Sequence, residues 1–202
     1  QARTTGKSIV EVVVTGHQWW WEFEYPDLGI TTANELHMPV GQVVNLTLRS
    51  NDVIHSFWIP KLGGKTDAIP TRSNKMWLQA DEAGEYYGQC MELCGVAHAN
   101  MRLRAFAHAE DDWLQWVERE RSGAVSPTSL TDLALEGYEL FENGACIACH
   151  TVRGSEKALG NVGPDLTHFG SRTTLASALL DSTPENIKAW LTDPPGVKPG
   201  AL

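Results

Sequence analysis

The sequence predicts a β-rich domain followed by a smaller helical domain, with a short polar linker between them. Over residues 1–121, short apolar runs alternate with Gly and Pro, a pattern typical of the strands and tight turns of a β-sandwich or barrel. Residues 122–129 are small and polar, as linkers often are. Residues 130–202 show helical spacing instead. A chain of 202 residues that is 42% hydrophobic is long enough for one or two domains.

Three segments of the first domain carry the clearest strand pattern. Residues 9–14 are β-branched and apolar except at Glu11, while residues 43–49 and 101–106 alternate apolar and polar side chains. Residues 111–117 predict a short amphipathic helix, because acidic residues occupy its first turn. The first domain is therefore expected to contain several strands followed by one helix.

Two helices are predicted in the second domain. Residues 131–141 place apolar side chains at helical spacing, with Thr131 or Asp132 as the expected N-cap. Residues 184–191 form the second candidate, in which Pro184 occupies the first turn. This part of the chain is expected to be all-α.

Composition and charge exclude some classes of protein. The chain has 16 Lys and Arg against 25 Asp and Glu, which gives a formal net charge of −9. A nucleic-acid-binding protein would show a basic face, so no nucleic-acid partner is predicted. An acidic surface suits a basic protein partner instead. No apolar run approaches the roughly 18–20 residues of a membrane span.

The four cysteines form two tight pairs, Cys90 with Cys94 and Cys146 with Cys149. Two disulfides are one interpretation of an even count in an exported protein. However, a histidine follows each pair closely: His98 comes four residues after Cys94, and His150 comes directly after Cys149. Histidine beside paired thiols favours a metal or cofactor over a disulfide framework.

The first pair lies in a segment, residues 90–101, that contains two thiols, an imidazole and a thioether. Sulfur ligands together with imidazole favour copper. A mononuclear copper site needs one Cys, whereas two thiolates can bridge two ions that are each capped by a His, and His55 is the best candidate for the second cap. A structural zinc site is the alternative, although zinc has no use for Met101 and does not require Glu92.

The pattern Cys-x-Glu-x-Cys-x-x-x-His-x-x-Met over residues 90–101 resembles the dicopper A centre of cytochrome c oxidase subunit II. Three other blocks resemble the same family, at residues 16–25, 52–57 and 65–70, and the likeness covers roughly residues 8–120. The resemblance implies that the first domain is an all-β cupredoxin-like Greek-key barrel.

The resemblance also implies a set of copper ligands. They would be His55, Cys90, Glu92 through its main-chain carbonyl, Cys94, His98 and Met101. The cysteines would bridge two copper ions, each histidine would cap one, and the methionine and the carbonyl would be weak ligands. The Glu92 side chain could also face a magnesium or manganese ion at the interface with subunit I.

The chain has eight Trp but only five Phe. In an extended strand, Trp19 and Trp21 would face one way and Trp20 the other, and core packing would account for at least one of them. The resemblance implies that Trp19 lies at the surface above the copper loop and admits electrons from cytochrome c. The remaining tryptophans are expected to be packing residues: Trp58, Trp77, Trp113, Trp116 and Trp190. Three further histidines are expected not to bind metal: His17, His37 and His108.

Cys146, Cys149 and His150 form the motif Cys-x-x-Cys-His, the attachment signature of c-type haem. The two thiols would add to the haem vinyl groups, and the imidazole would bind the iron. The preceding helical pattern and the pair Gly163-Pro164 resemble a small class I cytochrome c. That family implies that the Pro164 carbonyl orients the histidine through its other ring nitrogen.

The second axial haem ligand is not evident in the sequence. Class I cytochromes c usually supply a Met, but the methionines here all lie in the first domain, at positions 38, 76, 91 and 101. Residues 193–202 resemble the stretch that leads into that Met, so a Met is expected just after Leu202, with His168 as the alternative. The cytochrome c domain is therefore expected to be truncated, and the family's two N-terminal membrane helices are also expected to be missing.

Together the resemblances imply subunit II of a haem–copper oxidase that carries its own cytochrome c. Electrons would pass from an external donor through haem c and the dicopper centre to haem a of subunit I, where O2 is reduced. The donor would be cytochrome c, another small redox protein or a quinol-oxidising complex, and the partners would include subunits I and III. The expected location is the periplasmic, outer face of a bacterial membrane.

Other functions suit the same residues. A copper-bearing nitric oxide reductase or nitrous oxide reductase would use a similar copper domain, although the fused haem motif weighs against the second. A stand-alone soluble electron carrier would share the chemistry without joining an oxidase, and a zinc-structured binding domain would lack copper. Because the O2-reducing site would lie in subunit I, this chain is expected to hold no catalytic acid or base.

Overall fold

The computed structural model describes residues 9–201. Ten strands come first: β1 (Val10–His17), β2 (Trp20–Tyr25), β3 (Ile30–Ala33), β4 (Glu35–Pro39), β5 (Val44–Ser50), β6 (His55–Trp58), β7 (Thr66–Ala68), β8 (Asn74–Leu78), β9 (Gly84–Cys90) and β10 (Arg102–His108). Helix α1 (Glu110–Arg121) follows them. The three predicted strands correspond to β1, β5 and β10, and the predicted helix is longer at both ends.

These strands form two mixed five-stranded sheets. The first has the order β3-β2-β1-β5-β8 and the second the order β4-β10-β9-β6-β7. In the first, β1 runs antiparallel to β2 and parallel to β5; in the second, β10 runs antiparallel to β9 and parallel to β4. Because each internal strand buries alternate residues, the two sheets enclose one apolar core. This architecture is a β-sandwich.

Aromatic rings fill the centre of that core. Trp21 and Phe57 meet edge to face with ring centroids 5.3 Å apart, and Phe23 contacts Phe57 from the other side at 6.2 Å. Helix α1 closes the sandwich with Trp113 and Trp116, which stack at 5.1 Å and are nearly fully buried. Trp77, by contrast, is 48% exposed, so the prediction that it is a packing residue is wrong. It lies on β8, an edge strand with a neighbour on one side only.

The second region is mainly helical. It contains α2 (Asp132–Asn143), α3 (Pro184–Thr192) and the short α4 (Pro194–Val197). Thr131 is the N-cap of α2 but makes no side-chain cap, whereas the hydroxyl of Thr183 caps α3 by accepting from the amide of Asn186. No helix among residues 9–201 is both long and apolar enough to cross a bilayer.

The expectation of an all-α second region is wrong in one detail. Two short strands, β11 (Thr174–Leu175) and β12 (Leu180–Asp181), pair antiparallel. Between them, Ala176, Ser177 and Ala178 all have positive φ angles of 54–62°. L-residues rarely adopt this backbone conformation, so the sequence does not signal the turn.

The packing of the sandwich predicts the cost of a cavity. Leu46 is 1% exposed on β5, a central strand of the first sheet. We expect Leu46→Ala to lower the free energy of unfolding by about 2–5 kcal/mol. Leu114→Ala on α1, where the side chain is 57% exposed, should change it by less than about 0.5 kcal/mol. Urea unfolding followed by Trp fluorescence measures both, and equal effects would contradict the packing described.

Candidate functional sites

The loop between β9 and β10 is fixed at both of its ends. The amide of Cys90 donates to the carbonyl of Met101 at 2.9 Å, and the amide of Met91 donates to Ser56 of β6, also at 2.9 Å. His98 begins a short 3-10 turn immediately before Met101. Because these hydrogen bonds tie the start of the loop to its end and to β6, the side chains of the loop are held in place before any ligand binds.

Sulfur and nitrogen atoms converge inside the loop. The sulfurs of Cys90 and Cys94 lie 3.8 Å apart, and both residues are free thiols that are only 3% exposed. Each thiol faces one imidazole Nδ1 atom, with His55 3.9 Å from Cys90 and His98 3.6 Å from Cys94. The Sδ atom of Met101 is 3.8 Å from the Cys94 sulfur, and the Glu92 carbonyl is 3.3 Å from the Cys90 sulfur. All the donors predicted from the sequence are thus brought together.

His55 reaches this cluster from the second sheet. It is fully buried at the start of β6, and its Nε2 lies 2.7 Å from Oδ1 of Asp52, so Nδ1 remains free to face Cys90. Burial alone would lower the pKa of His55, but its contacts with Cys90 and Asp52 raise it overall. Gly16 leaves room for the ring, since a Cβ there would come within 2.7 Å of the His55 Cδ2 atom. The sequence alone does not reveal these roles of Asp52 and Gly16.

The two thiols differ in acidity. The neighbouring Cys94 thiol and then His55 hold the pKa of Cys90 at about 3, against the opposing effect of burial, whereas the pKa of Cys94 is raised by its proximity to Cys90. A thiolate, not a thiol, binds a metal. The three donor atoms of His55, Cys90 and Cys94 lie within 4.8 Å of one another. This soft, buried donor set, with a thioether beside it, fits copper better than the harder cations.

The Glu92 side chain is exposed, unlike its carbonyl. Among residues 9–201 it belongs to no cluster of three or more His, Cys, Asp or Glu donors.

Trp19 lies against the same loop. It precedes β2 in the turn after β1, where its indole Nε1 donates to the Cys94 carbonyl at 2.9 Å and the side-chain Nε2 of Gln18 donates to the same oxygen at 2.7 Å. The alternation expected for Trp19, Trp20 and Trp21 does not apply, because Trp19 is not part of the strand. Trp19 is only partly exposed, since residues of the second region cover its main-chain carbonyl.

The remaining histidines have other partners. His17 stacks on Trp20 with centroids 4.1 Å apart. Nδ1 of His37 lies 2.8 Å from Nε2 of His108, and the two rings are stacked. Burial lowers the pKa of both members of this pair. None of the three belongs to the donor cluster of the loop.

The Cys-x-x-Cys-His segment forms a tight turn in the second region. Its thiols are free, with Cys146 exposed and Cys149 partly exposed. The Nδ1–H of His150 donates to the Pro164 carbonyl at 2.7 Å, which leaves Nε2 as the available ring nitrogen. Gly163 allows this approach, because a Cβ at that position would lie 2.5 Å from the His150 Cε1 atom. Two accessible thiols and one oriented imidazole fit covalent attachment of a haem.

The second region also exposes an unusual amount of apolar surface. Its side chains are 59–79% exposed at Leu133, Leu140, Leu159, Val162 and Leu191. A haem is largely apolar, so exposed apolar side chains of this kind are suited to pack against one. His168, the alternative axial ligand, contacts the Ser122 carbonyl through Nε2 at 3.0 Å.

Comparison with known proteins identifies both regions. The family model for the periplasmic domain of cytochrome c oxidase subunit II matches residues 29–106, and that for cytochrome c matches residues 134–201. The periplasmic domain of the Bradyrhizobium japonicum subunit II has a solved structure that is 34% identical, with a TM-score of 0.54, covering 55% of this chain and 93% of that one. The chain belongs to the cytochrome c oxidase subunit II family. Its first region has the cupredoxin-like fold predicted from the sequence.

Curated relatives extend the likeness across both regions. Subunit 2 of cytochrome c oxidase from Alkalihalophilus pseudofirmus is 43% identical over 195 residues, 96% of this chain and 55% of the relative. The corresponding protein of Bacillus subtilis is 40% identical over 197 residues, 94% of this chain and 54% of the relative. The chain thus spans about half the length of these relatives.

The contact between Asp52 and His55 predicts an effect on metal binding. We expect Asp52→Ala to weaken copper binding roughly 10–100-fold, because the imidazole would lose the carboxylate that fixes its orientation. Asp27→Ala removes an exposed carboxylate from a turn of the same domain and serves as the control. Competition titration with a chelator measures both affinities, and equal affinities would show that Asp52 does not orient the ligand.

Gly163 predicts an effect on the second region. We expect Gly163→Ala to push the imidazole of His150 away from the Pro164 carbonyl, because the new Cβ would clash with the ring. The haem spectrum should then show weakened histidine ligation and the yield of attached haem should fall severalfold. Gly170→Ala is a matched control, since nothing lies within 4 Å of its Cβ position. Identical spectra for the two variants would contradict this role.

Proposed function

We propose that this chain is the electron-transferring part of subunit II of a haem–copper oxidase, which receives electrons at a haem c and passes them through a dicopper centre to subunit I. The observation that carries the proposal is the pair of preorganised sites on one polypeptide: the sulfur–imidazole cluster of the first region and the oriented Cys-x-x-Cys-His segment of the second. Each cofactor, when bound, would supply reversible one-electron oxidation and reduction.

The element bounds support a division into two domains. Helix α1 ends at Arg121 and α2 begins at Asp132, with only the short turn Pro127–Ser129 between them. We assign residues 1–121 to the cupredoxin-like copper domain, residues 122–129 to the linker and residues 130–202 to a class I cytochrome c domain. The helical content of the last segment and its match to the cytochrome c family support the assignment.

The first region would hold two copper ions. Cys90 and Cys94 are suited to bridge them, since their sulfurs lie close together and each faces a different imidazole. Met101 and the Glu92 carbonyl would complete the set as weak ligands, since Met101 lies beside Cys94 and the carbonyl lies beside Cys90. The burial of Cys90, Cys94 and Met101 shields the site from water. The hydrogen-bonded ends of the loop limit movement of the donors when the charge of the site changes.

The second region would hold one haem c through Cys146 and Cys149, with His150 as an axial ligand. The Pro164 carbonyl fixes the imidazole tautomer, because Nδ1 must carry the proton that it donates. Trp19 is the proposed route by which electrons reach the copper loop, since its indole is hydrogen bonded directly to Cys94. The chain itself contributes no O2-reducing site to this scheme.

The partners and location follow from the family. Subunit I would receive the electrons, with subunit III as a further member of the complex, and a magnesium or manganese ion would bind Glu92 only where subunit I adds ligands. The external donor would be cytochrome c, another small redox protein or a quinol-oxidising complex. The match to a periplasmic-domain family supports a site on the outer face of a bacterial membrane, to which the complex would be attached.

Metal analysis with electron paramagnetic resonance tests this proposal. The purified, haem-loaded chain should bind about two copper ions, the number that two bridging thiolates and two capping imidazoles require. Its oxidised form should show one unpaired electron coupled to both copper nuclei. Cys94→Ser should abolish that spectrum, whereas Cys149→Ser should leave it unchanged and reduce haem attachment. One copper per chain, or a preference for zinc, would contradict the proposal.

A further inference from the structure

Several polar contacts join the second region to the copper domain, among them those of Arg153 and Ser171 with Glu120 of α1. Two others place a buried charged side chain in the interface, and neither involves a cofactor ligand. The first, here called the Glu35 anchor, is the carboxylate of Glu35 on β4 with Thr173 and Thr174 at the start of β11. One oxygen, Oε1, accepts from both amides and both hydroxyls of these threonines at 2.8–3.0 Å. Glu35 is 2% exposed and Thr174 is 7% exposed, so the anchor is shielded from water.

A carboxylate in this position would be costly without those donors. Burial raises the pKa of Glu35, but the nearby His37 imidazole and the hydrogen bonds from the two threonines outweigh it and lower the pKa overall. The Arg172 guanidinium also lies near enough to favour the charged carboxylate. The second region therefore supplies most of the hydrogen bonds that keep this charge stable inside the protein.

The second contact, here called the Trp19 anchor, lies beside the copper loop. The main-chain carbonyl of Trp19 accepts from the hydroxyl of Ser177 at 2.7 Å and from the ammonium of Lys198, and the ammonium also donates to Ser177. Lys198 and Ser177 are each 4% exposed. Gly200 packs against the indole, because a Cβ there would lie 2.6 Å from both Trp19 and Val96 of the loop.

We infer that Glu35 and Lys198 are positioning residues, which lock the haem-bearing region in one fixed orientation with residues 177–200 covering Trp19. The flexible linker alone would leave that region free to sample many orientations. Two buried anchors, one on β4 and one in the turn between β1 and β2, lie 138–179 residues away in sequence from their partners and define a single orientation. The chain's own second region then covers part of the Trp19 surface that an external cytochrome c would otherwise contact.

This inference rests on the proposed function only where it assigns a haem to the docked region. The anchors themselves are contacts between amino-acid side chains and main-chain atoms. Because they are far apart in sequence and belong to one interface, opening one should destabilise the other. A residue with a purely local structural role would affect only its own segment.

Hydrogen–deuterium exchange of the haem- and copper-loaded chain tests that coupling. We expect Glu35→Ala to raise amide exchange in residues 196–201, at the distant Trp19 anchor, by about tenfold or more, as loss of hydrogen bonds to a buried charge should. Lys198→Met should raise exchange in residues 173–175 similarly. Glu118→Ala and Lys61→Met change exposed residues of the same types and should leave both segments unchanged.

A second variant keeps the test valid if Glu35→Ala misfolds. Changing Thr173 and Thr174 together to Val removes the two hydroxyl donors of the Glu35 anchor and leaves the copper domain unaltered. This double substitution should therefore also raise amide exchange in residues 196–201. An effect confined to the substituted segment, or none, would overturn the inference. Failure of the unsubstituted chain to bind copper or haem would instead overturn the proposed function, and that is read separately by metal and haem analysis.

Discussion

The rest of the site depends on the hydrogen bonds that fix the loop between β9 and β10. The hydrogen bond from Cys90 to Met101 joins the first and last donors of the loop, so all of them occupy one small volume. His55 reaches that volume only because β6 pairs with β9, and Asp52 then turns its ring so that Nδ1 faces the thiol. An electron-transfer site benefits from such rigidity, since little reorganisation accompanies a change of charge.

Much of this could be predicted from local sequence. Residues 9–14 form a β-branched apolar run, and the strands at 43–49 and 101–106 carry a period of two. The donors of residues 90–101 and 146–150 are close in sequence, so their spacing alone indicates metal and haem chemistry. Contacts between residues distant along the chain could not be predicted. The pairing of Glu35 with Thr173 and Thr174 spans about 138 residues and follows no short motif.

Two other differences have physical causes that the sequence conceals. Trp77 looks like a core residue by type, but it alternates onto the solvent-facing side of β8, together with the exposed Lys75. The turn from Ala176 to Ala178 adopts positive φ angles without a glycine, and the contact of Ser177 with Trp19 lies within it. In both cases tertiary position, rather than local preference, decides the outcome.

The two regions belong to one mechanism only if the docked arrangement carries electrons between them. The most direct measurement is rapid reduction of the haem by a photogenerated radical, followed by the absorbance of the oxidised copper centre. A docked pair predicts that electrons reach copper at a rate independent of protein concentration, because donor and acceptor share one chain. A rate that rises in proportion to protein concentration would show transfer between molecules and would contradict the account.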